Sequence, residues 1–464
     1  MQKIFLENKL LLLALVGFVL TFLSYRLGVA YNSILIVYAV FQVSARNLAA
    51  ILVLLLGYVN FAGRATFAAY GLEHVETNIV MIGGIGLGSI LLLNVALPAV
   101  VFLNMLKGRL AANHPVVVLL LLAWFVWCVG AGGSSLWGMS LGYNGWADPA
   151  RSALFGATIF YGGMLHRRHN ISGELQKLYY VILFCTLACF AGHFYHRLIF
   201  ISVAIMPYWS LWRFFSLKHP LAKLTSLVGF MSSGAVAFGI TLGGLNSTFT
   251  LKGLWALSFL GYIFFEILRG KRMKNMLTVV PISAYVLTST FLVFVISFGY
   301  KLRVGSRSLH ESTPFFERLQ AKIFDDRLFV WDAVYNQFAS GFNVFNIAGE
   351  PMALFHVVKG DILVTFGSHN IMLDLIRKSG YLGFLGAMAL IVISLCISMR
   401  VFQHLTGAER ALVWGSFITL VYGGLSGHYP LAQNAIFWVL LPLGFGLRFY
   451  LKDVERQAHP IKRV

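Results

Sequence analysis

Residues 115–133 read PVVVLLLLAWFVWCVGAGG. No charged side chain interrupts them, and as a helix rising about 1.5 Å per residue they match the roughly 30 Å of a bilayer's hydrocarbon core. A helix also pairs its own backbone groups, which lipid cannot do for it. The pattern recurs along the chain. Candidate spans fall at about residues 10–25, 28–44, 47–63, 78–104, 115–133, 152–166, 178–194, 198–215, 224–244, 251–268, 277–299, 380–399, 411–426 and 432–449. A chain that is 58% apolar and 11% charged cannot make a soluble globule of this length, so the expected fold is an all-α polytopic membrane protein.

The formal charge of +19 would suggest nucleic acid in a soluble protein. Here the basic residues sit in short clusters between apolar stretches, which is how a membrane protein is oriented, and no nucleic-acid partner is expected. With a cytoplasmic N-terminus, 22 of the 36 Lys and Arg residues fall on the cytoplasmic side. The short external loops hold five, and nine lie in one long loop and its exit helix. Both termini are therefore expected in the cytoplasm and the long loop outside. The first apolar segment lacks a small-residue cleavage site and is expected to remain as a helix. Cys128, Cys185, Cys189 and Cys396 fall inside candidate spans and read as buried apolar residues.

The long interruption divides the chain into N-terminal transmembrane helices (1–299), a large extracytoplasmic loop (300–370) and C-terminal transmembrane helices (371–464). Within the loop, residues 314–324 and 327–338 carry apolar side chains at helical spacing, including Leu328, Trp331, Val334, Tyr335 and Phe338. They are predicted to form two short amphipathic helices. Asp325 and Asp326 precede the second, where capping its free amides accounts for them and metal binding is the alternative. Gly83, Gly84, Gly86 and Gly88 lie inside a candidate span and follow no predicted strand, so close helix packing is expected of them rather than dinucleotide binding.

The chain re-enters the membrane through Ser368-His369-Asn370, nine residues, then Gly380-Tyr381-Leu382-Gly383. This run resembles the signature of the O-antigen ligase and polysaccharide polymerase superfamily. That family carries His, then Asn, Ser or Gln, nine residues, Gly, two residues, then Gly, Thr or Tyr, at the end of its large periplasmic loop. Arg327-x-x-x-Trp331 followed by Gly341, the many-helix layout and the late loop are also similar. The chain departs from many members in having Gly341-Phe342-Asn343 for Gly-x-Gly and Asn246-Ser247-Thr248 for Ser-Arg-Gly.

The resemblance implies about 12–14 transmembrane helices in a GT-C-like arrangement, in the bacterial cytoplasmic (inner) membrane. It also implies transfer of a glycan from an undecaprenyl-diphosphate donor to an acceptor hydroxyl, with lipid A core as the ligase's acceptor and a lipid-linked glycan as the polymerase's. An imidazole with an unperturbed pKa near 6.5 can take the hydroxyl proton at neutral pH, which makes His369 the candidate general base. The leaving diphosphate needs fixed positive charge. Arg327 is the first candidate, and Arg197, in a short external loop, the second. Asn370 and Trp331 complete the candidate substrate site, and neither a metal nor a cofactor is expected.

His193, His196, Arg64, Arg151 and His428, and the aromatics Trp137, Tyr143, Trp146, Tyr195 and Tyr429, sit at predicted external ends. A glycan cleft and an interfacial belt explain them equally well. A carrier of lipid-linked glycan is the alternative from another class, although carriers usually place ionisable groups near the bilayer midplane. Here the charge is concentrated in one external loop.

Overall fold

The computed structural model describes residues 2–23, 114–141, 148–154, 172–191, 197–242, 249–267 and 371–423, the strands of two short hairpins, and scattered positions between 27 and 106 and at 156, 160 and 347. Apart from those positions, the candidate spans at 28–44, 47–63, 277–299 and 432–449 and both predicted loop helices lie outside the described residues.

Helices dominate what is described. Four are long and apolar enough to cross a membrane: Pro115–Ser140, Gly173–Phe190, Pro220–Phe238 and Leu375–His404. Helix α1 runs Gln2–Leu23. Helix α2, Pro115–Ser140, opens on a proline that needs no amide partner, while His114 Nδ1 accepts from Val116 N at 3.3 Å. It continues beyond the predicted end at 133 because its small residues Ala131, Ser134 and Ser135 are buried against neighbours rather than breaking it. Ser135 Oγ accepts from the amide of Ala150 at 2.9 Å, in helix α3 (Asp148–Leu154).

Helix α4 spans Ser172–Phe190, starting nearly two turns before the predicted span, with Lys177 paired to Glu174 at 2.6 Å. Helix α5 spans Arg197–Ser216 and contains Pro207. Proline disrupts the helical hydrogen-bond ladder around it, and here a neighbouring helix contributes: Tyr208 N donates to Ser258 Oγ at 3.3 Å. Helix α6, Pro220–Phe238, begins on proline and stops at Gly239, whose φ of 78° is left-handed. Helix α7, Phe249–Tyr262, widens into a π turn over Ile263–Ile267. Helix α8 covers Ile371–Val401, with a 3-10 turn to His404, and α9 covers Gly407–Ile418, with a second π turn to Gly423.

Helix α5 is the centre of one packed group, touching α4, α6, α7 and α9, and Val203, Ala204, Met206 and Tyr208 on it are fully buried. Helices α2, α3 and α8 form another. Several buried hydroxyls donate back to their own helices, as Ser226 does to Ala222 O at 2.6 Å and Ser416 to Leu412 O at 2.8 Å, which satisfies them without water. Large apolar side chains such as Phe125, Leu136 and Met231 are exposed, as lipid-facing positions would be.

Tyr180, midway along α4, lies against Arg213 at the end of α5, and Tyr179 Oη donates to Thr225 O early in α6 at 3.3 Å. At the opposite end of these helices Leu242 N donates to Phe190 O at 2.9 Å. Such alternation is what short connections between antiparallel neighbours produce.

Two short antiparallel hairpins were not anticipated. Strands β1 (Met81–Ile82) and β2 (Ile85–Gly86) pair with each other, so these four residues of the candidate span at 78–104 are extended rather than helical. Gly86, the one glycine of that run among the described residues, lies in β2 rather than in a helix. Strands β3 (Phe355–Lys359) and β4 (Ile362–Phe366) pair in register from Phe355 opposite Phe366 to Lys359 opposite Ile362, within the predicted loop. Gly360-Asp361 between two β-branched runs is the signal that marks them.

Candidate functional site

Helix α8 begins at Ile371, directly after His369-Asn370, and was expected to begin at 380. It is two helical pieces joined at Gly380, whose φ of 63° and ψ of −172° lie in a region essentially restricted to glycine. A side chain there would be strained by about 1–3 kcal/mol. The first glycine of the signature therefore supplies the break that sets the direction of the segment leading back to His369.

The second glycine allows a close helix approach. Gly383 lies against Gly130 of α2, where an added Cβ would fall 2.5 Å from Gly383 N and 2.5 Å from Ser379 O. One turn on, a Cβ at Gly386 would fall 2.5 Å from Trp127 N. With no side chains between them, the two backbones pack directly and the upper piece of α8 is fixed on α2. Ser379 Oγ donates to Leu375 O at 2.5 Å across the turn before the break.

Arg377 occupies that same turn and is only 1% exposed. The guanidinium is permanently charged, so the re-entry segment brings a cation into the protein interior within two to three turns of His369. His369, Asn370, Arg327 and Trp331 lie outside the described residues. Arg197 is the first residue of α5, and its side chain also lies outside them. None of these five is placed against another among the described residues. His193, His196, Arg64, His428, Asp325, Asp326, Tyr143, Trp146, Tyr195 and Tyr429 lie outside as well, while Trp137 is partly exposed on α2.

A second polar cluster sits where α5, α7 and α9 meet. Arg410 Nε donates to Glu266 Oε1 at 2.8 Å and Nη2 to Oε2 at 2.9 Å, a paired fork. Tyr208 Oη donates to Glu266 Oε1 at 2.8 Å, and Arg410 Nη1 donates to Leu405 O at 2.8 Å. The π turn carries Glu266 to this position, and Thr406 and Glu409 form a capping box that begins α9. A carboxylate this fully engaged is a structural tie rather than a proton-transfer group. Sequence signalled it only as an isolated acid near the end of a span. Among the described residues no three His, Cys, Asp or Glu side chains converge as a metal site.

The chain matches no family model, no curated protein and no solved structure.

Proposed function

We propose that this protein is a membrane glycosyltransferase that moves a glycan from undecaprenyl diphosphate to an acceptor hydroxyl at the outer face of the bacterial inner membrane. The reading is carried by one observation: His369-Asn370, Gly380 and Gly383 stand at the signature spacing, and the helix break at Gly380 gives that spacing a physical reason. It includes 12–14 spans in a GT-C-like arrangement, both termini in the cytoplasm, and a periplasmic loop over residues 300–370.

In this reaction His369 takes the acceptor hydroxyl proton as its oxygen attacks the anomeric carbon. The bond from that carbon to the diphosphate breaks, and the diphosphate leaves on its lipid with Arg327 and Arg197 opposite its charge. Asn370 and Trp331 orient the sugars. The acceptor we favour is lipid A core, making the protein a ligase. A polymerase would use the same chemistry on a second lipid-linked repeat unit.

One observation favours a carrier of lipid-linked glycan instead. Carriers use discontinuous helices beside buried charge, and α8 breaks next to Arg377. Purified protein in proteoliposomes, given polyprenyl-diphosphate glycan and lipid A core on the same side, separates the two. The enzyme forms a covalent glycan–acceptor product without moving donor across the bilayer. Donor translocation with no product would overturn the enzyme reading.

A further inference from the structure

The elbow between α5 and α6 holds a charge with no counter-ion among the described residues. Arg213, in the last turn of α5, is 4% exposed. Its guanidinium carbon lies 4.1 Å from the ring centre of Tyr179 and 5.3 Å from that of Tyr180, and Nη2 donates to Tyr180 Oη at 3.3 Å. Nε is buried with no hydrogen-bond partner, and no carboxylate among the described residues pairs with the group. Two aromatic faces and the negative end of the α5 dipole offset part of the charge, but none of them carries a net negative charge. A buried cation without an anionic partner is unfavourable, and an anion brought to the elbow would complete it.

The surroundings specify the anion's chemistry. Lys218, His219 and Lys223 are exposed on the same elbow, without ion-pair partners among the described residues. Phe215, Leu221 and Leu224 are exposed between and beside them. Apolar side chains alternating with lysines at the start of α6, a helix long and apolar enough to cross a membrane, suit the boundary between acyl chains and headgroups. His219 makes no side-chain cap and Pro220 has no amide proton, so the first turn of α6 presents open amides to the same place.

We propose that the α5–α6 elbow is a binding site for an anionic phospholipid, with its phosphate held by Lys218 and Lys223 and its charge compensating Arg213. The site is independent of the glycan-transfer reading. Full-length protein purified in nonionic detergent, titrated with phosphatidylglycerol or phosphatidylcholine under native mass spectrometry, tests it. Phosphatidylglycerol should bind at least tenfold more tightly. Lys218→Gln and Lys223→Gln should each weaken it about fivefold, the effect of one surface charge near an anionic headgroup. Arg213→Gln should abolish the preference, and inorganic phosphate should not compete. Both lysines are exposed, so those variants remain informative if the arginine variant does not fold. Equal affinity for the two lipids, parent-like binding by the double lysine variant, a folded Arg213→Gln that keeps the preference, or displacement by inorganic phosphate would each overturn the proposal.

Discussion

The break in α8 and the junction of α5, α7 and α9 solve the same problem in opposite ways. At the junction, side chains hold the elements together: a forked ion pair between Glu266 and Arg410, a tyrosine hydroxyl and a capping box. At the break, side chains are removed, and bare backbone at Gly130, Gly383 and Gly386 sets the approach of α8 to α2. Side-chain ties stabilise a bundle end without shaping a cavity. A glycine break redirects a chain, as the proposed delivery of His369 to a reaction centre would require.

If this contrast holds, substitutions at the junction should lower stability and leave transfer per folded molecule intact, while those at the break should lower both. The largest stability effect is expected for Arg410→Ala, which strands the part-buried Glu266 carboxylate at a cost of up to about 3–5 kcal/mol. Its thermal unfolding midpoint in detergent should fall sharply. Combining Glu266→Leu with Arg410→Met should recover most of the loss, because two apolar side chains need no counter-charge. A double variant as unstable as Arg410→Ala would show that the pair does more than neutralise itself.

Next come Gly130→Ala and Gly380→Ala. The first drives a methyl group into the backbone of α8 and should cost about 1–3 kcal/mol. The second imposes backbone strain of about 1–3 kcal/mol. Both should reduce glycan transfer more than their loss of folded protein explains, measured with equal amounts of folded enzyme. Parent-like transfer by folded Gly380→Ala would detach the break from function. The smallest effect is expected for Thr406→Ala, which removes the α9 cap for about 1 kcal/mol and leaves transfer unchanged.

The described spans were legible because an uncharged apolar run of bilayer length has few other fates. Their ends were less so. The start of α4 and the first piece of α8 are polar enough, with Glu174, Lys177, Arg377 and Lys378, to read as loop, yet the backbone there is helical. Gly380 and Gly383 were visible as letters in a signature, while their conformational and packing reasons needed coordinates. Glu266 and Arg410 are 144 residues apart, and no local pattern couples them. The hairpin at 355–366 was missed although Gly360-Asp361 between β-branched runs marks it.

His369 carries the central claim. Purified His369→Ala, assayed for transfer from polyprenyl-diphosphate glycan across pH with equal folded protein, should lose activity by at least about 100-fold, the lower bound for removing a general base. Its unfolding midpoint should match the parent's, and His369→Asn and His369→Gln should not restore the rate, since neither accepts the proton. Activity within a few-fold of the parent, with an unchanged pH profile, would contradict the account and leave the signature as a device for turning a helix.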